Sequence, residues 1–372
     1  MPQSSPDRHP RFITDLEACR TTLENGSRTF LAASRLLPRR VRDPAIALYA
    51  FCREADDAID IGGATPETLA ILNHRLEAIY RNAPLPNPAD RAFCDVVHRF
   101  EIPRTLPDAL IEGFAWDAGE RRYETFAGVL AYSTRVAGSV GAMMALLMGA
   151  RSATQLARAC DLGIAMQLSN IARDVGEDAR AGRIYLPLTW MRESGIDPVQ
   201  FLADPKPSSQ IAGVVERLLE GADSLYRRAE RGIAVLPMDC RAGIFAASYL
   251  YGEIGNEVRR NNYDSVTKRA VVPAKRKLEL VARAAMAASR SLAQSPIAIP
   301  ERVPEAAYLV DAVRPLPAIT EPAPPAWWNL PARTARIIDI FERLERNERE
   351  ARRLRSDIAL AQATTHASTA QV

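Results

Sequence analysis

A chain of 372 residues with 47% hydrophobic and 25% charged side chains has the composition of a globular protein able to bury a sizeable core. Its net charge of +3 gives no argument for a nucleic-acid partner. Its five cysteines, odd in number, far apart and without a C-x-x-C pair, argue against a disulfide framework or a structural zinc site and suit a cytoplasmic protein with reduced thiols.

Residues 1–11 read as disordered, without the basic-then-apolar pattern of an export signal. Helical periodicity begins at Phe12, is interrupted at Gly26-Ser27, and resumes up to Pro38. The stretch "GSRT" (Gly26, Ser27, Arg28, Thr29) is a helix start that would present backbone N–H groups and hydroxyls to an anion, or simply an N-cap. Asp43-Pro44 predicts the start of a helix that runs through "AIALYAFCREADDAID" to Gly62-Gly63. Its far end carries Asp56, Asp57 and Asp60. Carboxylates one turn apart repel and oppose the helix dipole, so a surface helix gains nothing from them, whereas a cation site would need them.

Helices separated by turns continue to about residue 131. Val136 to Ala150 is the longest near-apolar run, shorter than the roughly 20 residues of a membrane-spanning helix, and is predicted to be a buried core helix. Its small residues Ala137, Gly138, Ser139 and Gly141 permit close approach of another helix or of an apolar ligand. "SATQ" at 152–155 is a capping box opening the next helix. That helix places Gln167, Asn170 and Asp174 within an apolar run, and at about 100° per residue the three share one face, with Asp178 one turn further on if Gly176 does not end the helix. Burying such groups without partners costs several kcal/mol each, so this face must meet a cation, a chain segment or a ligand.

From Pro198 to Ala293 the pattern is again helical, with a basic cluster of Lys268, Arg269, Lys275, Arg276 and Lys277 that reads as a solvated face or a phosphate clamp. Nine prolines between Pro296 and Pro331 mark a linker or wrapping segment over 294–331 without a helical interior of its own. An amphipathic helix and a disordered tail are expected over 332–372. No period-two strand pattern occurs, so the expected fold class is all-α. The two acidic faces, set opposite each other, would make an oxygen-lined site suited to Mg²⁺, with Mn²⁺ as the alternative ion.

"YAFCREADDAID", "YSTRVAGSVG" and "QLSNIARDVGEDARAGRIYLP", in this order, resemble the signature regions of the squalene/phytoene synthase family, over roughly residues 12–290. "SRLLPRRVRDPAIALYAFCR" resembles the bacterial phytoene synthases in particular. The resemblance implies an isoprenoid synthase helical bundle over 12–293 with a central cavity. It places a first D-x-x-x-D motif on Asp56 and Asp60, with Asp57 between, and a second acidic motif on Asn170, Asp174 and Asp178. It also places Gly26 to Thr29, Tyr49, Arg53, Gln167, Arg173 and Tyr263 around two substrate diphosphates. Tyr132 and Tyr263 become candidate catalytic helpers, by cation stabilisation or by hydrogen bonding to diphosphate.

The activity this implies is head-to-head condensation of two geranylgeranyl diphosphates to phytoene by way of prephytoene diphosphate, Mg²⁺-dependent and without NADPH. The alternatives are a C30 synthase acting on farnesyl diphosphate, giving presqualene diphosphate, squalene or dehydrosqualene, and a non-catalytic helical binding or assembly protein of the same fold. Lipid substrates and product, with Trp327-Trp328 and the terminal amphipathic helix, suggest peripheral attachment to the cytoplasmic membrane face and contact with other carotenoid-pathway enzymes.

Overall fold

A computed structural model of the protein describes residues 10–62, 65–290 and 302–313. All regular structure among the described residues is helical, as the absence of period-two patterning leads one to expect. The expectations for the N-terminal segment, for Trp327-Trp328 and for the terminal amphipathic helix fall outside the described residues.

The first helix, α1 (Pro10–Gly26), is followed directly by α2 (Arg28–Ser34), whose N-cap is Ser27; the Ser27 hydroxyl accepts the Phe30 N–H at 3.2 Å. The long acidic helix α3 spans Arg39–Gly62. It begins before the predicted Asp43-Pro44 start, because the Pro38 carbonyl accepts the N–H groups of Val41 and Arg42 and so launches the first turn. Pro44 is carried inside that helix at the cost of one backbone hydrogen bond.

Helices α4 (Pro66–Tyr80), α5 (Pro88–Arg99) and α6 (Thr105–Ala118) pack around α3, with Phe51 of α3 stacked on Phe93 of α5 at 4.4 Å. Then α7 (Phe126–Ser133) passes through one π-helical stretch, Thr134–Gly138, into α8 (Ser139–Leu147). The apolar helix is therefore longer than the sequence suggested, and by length and composition Phe126–Leu147 would suffice to cross a membrane. Its apolarity has another cause: most of it is buried against α6 and α9 in the protein's own core.

The central helix is α9 (Ala153–Arg180), opened by the Ser152–Gln155 capping box. It is unbroken at Gly176. That glycine's N–H donates to the Ser265 carbonyl at 2.9 Å, and a Cβ there would lie 2.2 Å from the Val266 oxygen, so the residue serves close packing rather than helix termination. Gly163 and Gly141 do the same between α8 and α9. A Cβ on Gly163 would meet the Ala137 oxygen at 2.2 Å, and one on Gly141 the Ala159 oxygen at 2.3 Å, which fixes the two helices antiparallel.

Short helices α10 (Leu188–Glu193) and α11 (Pro198–Ala203) lead to α12 (Ser209–Ile233), α13 (Met238–Arg260) and α14 (Ala274–Arg290). Both α12 and α13 pack on α9. Glu253 of α13 is buried and takes hydrogen bonds from Arg276 of α14, Arg260 and Asn256. Burial raises its pKa, but those hydrogen bonds outweigh burial and hold the carboxyl at about 2. Because the folded-state pKa lies below the unfolded one, this stability is present above pH 4.5 and is lost as pH falls towards 2. Glu253→Gln should therefore lower unfolding free energy at neutral pH by about 2 kcal/mol. In denaturant titrations the gap from the parent protein should close as pH falls through that window.

A helical turn over Pro304–Ala306 and α15 (Ala307–Asp311) close the described chain. Over 302–313 the segment wraps onto the core as one of the two alternatives had it, but it carries short helical turns that were not expected within 294–331. There Val303, Ala306, Leu309, Val310 and Val313 are buried in the main core, so apolar spacing overrides the nearby prolines.

Candidate active site

The acidic ends of α3 and α9 face one polar cavity of about 810 Å³. From α3 it receives Arg53 and Asp56; from α9 it receives Gln167, Asn170, Arg173, Asp174 and Asp178. The amphipathic face read from the sequence thus becomes one wall, and the unbroken helix carries Asp178 onto it. Asp57 does not line this cavity; it pairs with Arg53 Nη2 at 2.6 Å, while Arg53 Nη1 lies 3.5 Å from Asp56. Asp60 occupies the last turn of α3, and its side chain is outside the described residues, as are those of Arg28 and Thr29.

Charge in the cavity is held in internal pairs. Arg173 Nε donates to Asp174 Oδ1 at 2.8 Å, and Arg269, from the segment before α14, donates to the same oxygen at 3.0 Å. Burial would raise the Asp174 pKa, but these two guanidiniums outweigh it and keep the carboxyl below its ordinary value. Asp178 goes the other way: burial first, then the neighbouring Asp174 charge, push it up to about 7. Six acids line the cavity against four guanidiniums, and carboxylate oxygens in that excess suit a hard divalent cation. Among the described residues, no three His, Cys, Asp or Glu side chains converge tightly enough to hold a metal ion by themselves.

Adjoining this polar space is an apolar cavity of about 320 Å³, bounded by α8, α9, α12 and α13. Gln167 and Asn170 line both spaces. The small-residue stretch serves close helix packing, with Gly141 against the Ala159 backbone and Gly138 against the Ile164 side chain, while Val136, Val140 and Met144 line the cavity. Tyr49 also lines the apolar cavity, stacked on Phe30 at 5.2 Å. Gly26 lies against its ring, where a Cβ would come 2.4 Å from the Tyr49 hydroxyl.

Tyr132 lies at the site and donates to Asp117 Oδ2 at 2.8 Å. Tyr263 does not. It sits in the turn after α13 at φ +58°, its hydroxyl donating to Glu216 at 2.7 Å, and it lines neither of the two cavities. The left-handed turn that ends α13 aims its ring at α12.

Sequence reading passed over several groups. Asp117 accepts hydrogen bonds from Tyr132 and, at 2.7 Å, from Tyr185, and lines the polar cavity with Arg183. Its signal was an acid next to a tryptophan in the largely apolar run "ALIEGFAWDA". Tyr251 of α13 lines the apolar cavity and is hydrogen-bonded to Ser27, so it links the α2 start to the site. Of the basic cluster near α14, Arg269 alone lines the polar cavity; Arg276 is taken up by Glu253.

Comparison with known proteins agrees with this architecture. A family model described as "Squalene/phytoene synthase" matches residues 23–276. A phytoene synthase of Rhodobacter capsulatus is 57% identical over 303 residues, covering 80% of this chain and 89% of that protein. A 15-cis-phytoene synthase of a Paracoccus species is 40% identical over 267 residues, covering 69% and 85%. Among solved structures, a dehydrosqualene synthase in complex with ligand superposes with a TM-score of 0.68 at 30% identity, over 75% of this chain and 98% of that one. With the paired acidic helices, the two joined cavities and a family match over most of its length, the chain belongs to the squalene/phytoene synthase family.

Proposed function

We propose that the protein condenses two geranylgeranyl diphosphates head to head, through prephytoene diphosphate, to 15-cis-phytoene in carotenoid biosynthesis. It is a prenyltransferase-type enzyme, related at high identity to bacterial proteins named phytoene synthase. The observation that carries the reading is the junction of an acid- and arginine-lined cavity with an apolar one across Gln167 and Asn170. Such a pair of spaces fits a molecule with a diphosphate head and a hydrocarbon tail.

Asp56, Asp60, Asn170, Asp174 and Asp178 are the residues that would hold Mg²⁺. A divalent ion bound there supplies positive charge against the departing diphosphate. Arg53, Arg173 and Arg269 are paired with carboxylates in the substrate-free protein and can exchange those partners for phosphate oxygens, to which a guanidinium binds in a bidentate fork. The apolar walls keep water from an allylic cation until the second substrate's double bond captures it. Each half-reaction then releases one diphosphate and one proton, so two of each leave per phytoene and no reductant is consumed.

Incubating the purified protein with Mg²⁺ and labelled C20 or C15 diphosphate checks the reading. A C40 hydrocarbon from the C20 substrate is expected. A C30 product from the C15 substrate, with no C40 product from the longer one, would move the assignment to the C30 synthases. Loose attachment to the cytoplasmic membrane face, where such lipids partition, belongs to the same proposal. Sedimentation with anionic vesicles tests it, and protein left in the supernatant removes it.

A further inference from the structure

The apolar cavity has two ends, and helix register identifies them. Because α8 runs antiparallel to α9, with Ala137 against Gly163 and Ala159 against Gly141, the Val136 end of the cavity adjoins Gln167 and the acids. Met144 and Met148 therefore lie at the other end, beside Gln155 and Arg158 of α9. Helix α12 is antiparallel to α9 as well: Tyr226 bonds Ser169, Arg228 pairs with Asp161, and Gly232 lies against the Arg158 stem. This brings Ile233 and Leu236 to the same far end.

A charged residue at the floor of a hydrocarbon cavity requires a reason. The Arg158 side chain is only 2% exposed, and its Nε lies 2.9 Å from Asp161 Oδ2, which Arg228 Nε also approaches at 3.1 Å. Asp161 itself is fully buried. A structural ion pair explains why the two residues coexist, but not why Arg158 borders the cavity. It cannot swing aside, because doing so would leave Asp161 buried with Arg228 as its remaining guanidinium partner. Nor is there room beside its stem, since a Cβ on Gly232 would come 2.3 Å from the Arg158 Cβ. Twelve residues of α9, about 18 Å, separate Arg158 from Asn170 at the polar junction.

We propose that Arg158, anchored by Asp161 and flanked by Gln155, is the stop that sets the longest prenyl tail the cavity accepts. This inference rests on the prenyl diphosphate reading given above. A tail reaching that floor meets a fixed polar group, and one isoprene unit more would have to strip it of its partners without replacing them. The cutoff is therefore set by polarity as well as by space. Arg158 specifies substrate length and takes no part in the chemistry at the acids.

The test compares C20 and C25 diphosphates in the parent protein, in Arg158→Ala, in Arg158→Ala/Asp161→Asn, and in Arg158→Lys. Removing the stop should raise the C25-to-C20 ratio of kcat/KM by at least about tenfold, since even a single methylene in an apolar pocket discriminates by that order. Arg158→Lys, which keeps the charge, should stay at the parental ratio. Should a variant lose turnover while remaining folded, calorimetric binding of the C20 and C25 thiolodiphosphates reads the same ratio. If both alanine variants fold and keep the parental ratio, the stop does not exist. If the parent protein itself fails to convert the C20 substrate, the functional reading fails first, and the two failures are separable.

Discussion

Asp174→Asn should lower turnover of the C20 diphosphate on the order of 10³-fold, the scale of losing a group that stabilises developing charge at a reacting centre. Thermal stability should change little. Asp174 is held ionised by Arg173 and Arg269, and it lines the polar cavity together with Asp56. The substitution keeps the shape of the side chain and one acceptor oxygen but removes the charge that draws both guanidiniums into the site. These ion pairs line the polar cavity, with Arg269 exposed, so their loss should shift Tm by no more than about 5 °C. Kinetics and a thermal melt on one preparation separate the two effects. Full turnover in Asp174→Asn would mean that the acidic cavity is not where diphosphate departs.

Asp117→Asn carries the second large effect, an expected loss of about 10²-fold in kcat, the scale on which a displaced catalytic contact is felt. Asp117 accepts from Tyr132 and Tyr185, whose rings stack at 5.0 Å, and it borders the polar cavity between α6 and α9. Its hydrogen bond from Tyr132 holds that hydroxyl at the polar cavity, and the one from Tyr185 fixes the carboxylate itself. It is a positioning residue for that hydroxyl. Tyr132→Phe should then lose a similar factor, and the double variant should lose little more than either single one, because the two act as one unit. Additive losses would show that Asp117 acts independently of Tyr132. The charge of Asp117 also contributes to pushing the Asp178 carboxyl up, so its removal should ease ionisation of Asp178.

Those two residues also mark where sequence reading succeeds and where it stops. Asp174 was legible because an aspartate, an asparagine and a glutamine repeat on one face of an apolar helix, a local pattern whose cost is evident without coordinates. The fold class was legible for a similar reason, since helical periodicity is local. Asp117 was not, because its meaning lies in hydroxyls 15 and 68 residues away in the chain. Gly176 was misleading in isolation: its role depends on the Ser265–Val266 backbone approaching it, which no local pattern announces. The family resemblance carried Tyr263 into the site, whereas the turn after α13 directs it to Glu216 and leaves Tyr251 at the cavity. Residues 302–313 show the same limit, since Pro304 is local but the core that buries Val303 and Leu309 is not.

The central claim is that the acidic and apolar cavities form one substrate site joined at Gln167 and Asn170. A crystal structure with Mg²⁺ and a non-ionisable C20 thiolodiphosphate tests it most directly. Diphosphate is expected among Asp56, Asp174 and the arginines, with the tail running past Val136 and Met144 towards Arg158. A ligand whose tail lies outside the apolar cavity, or whose diphosphate binds away from both acidic helices, would contradict it.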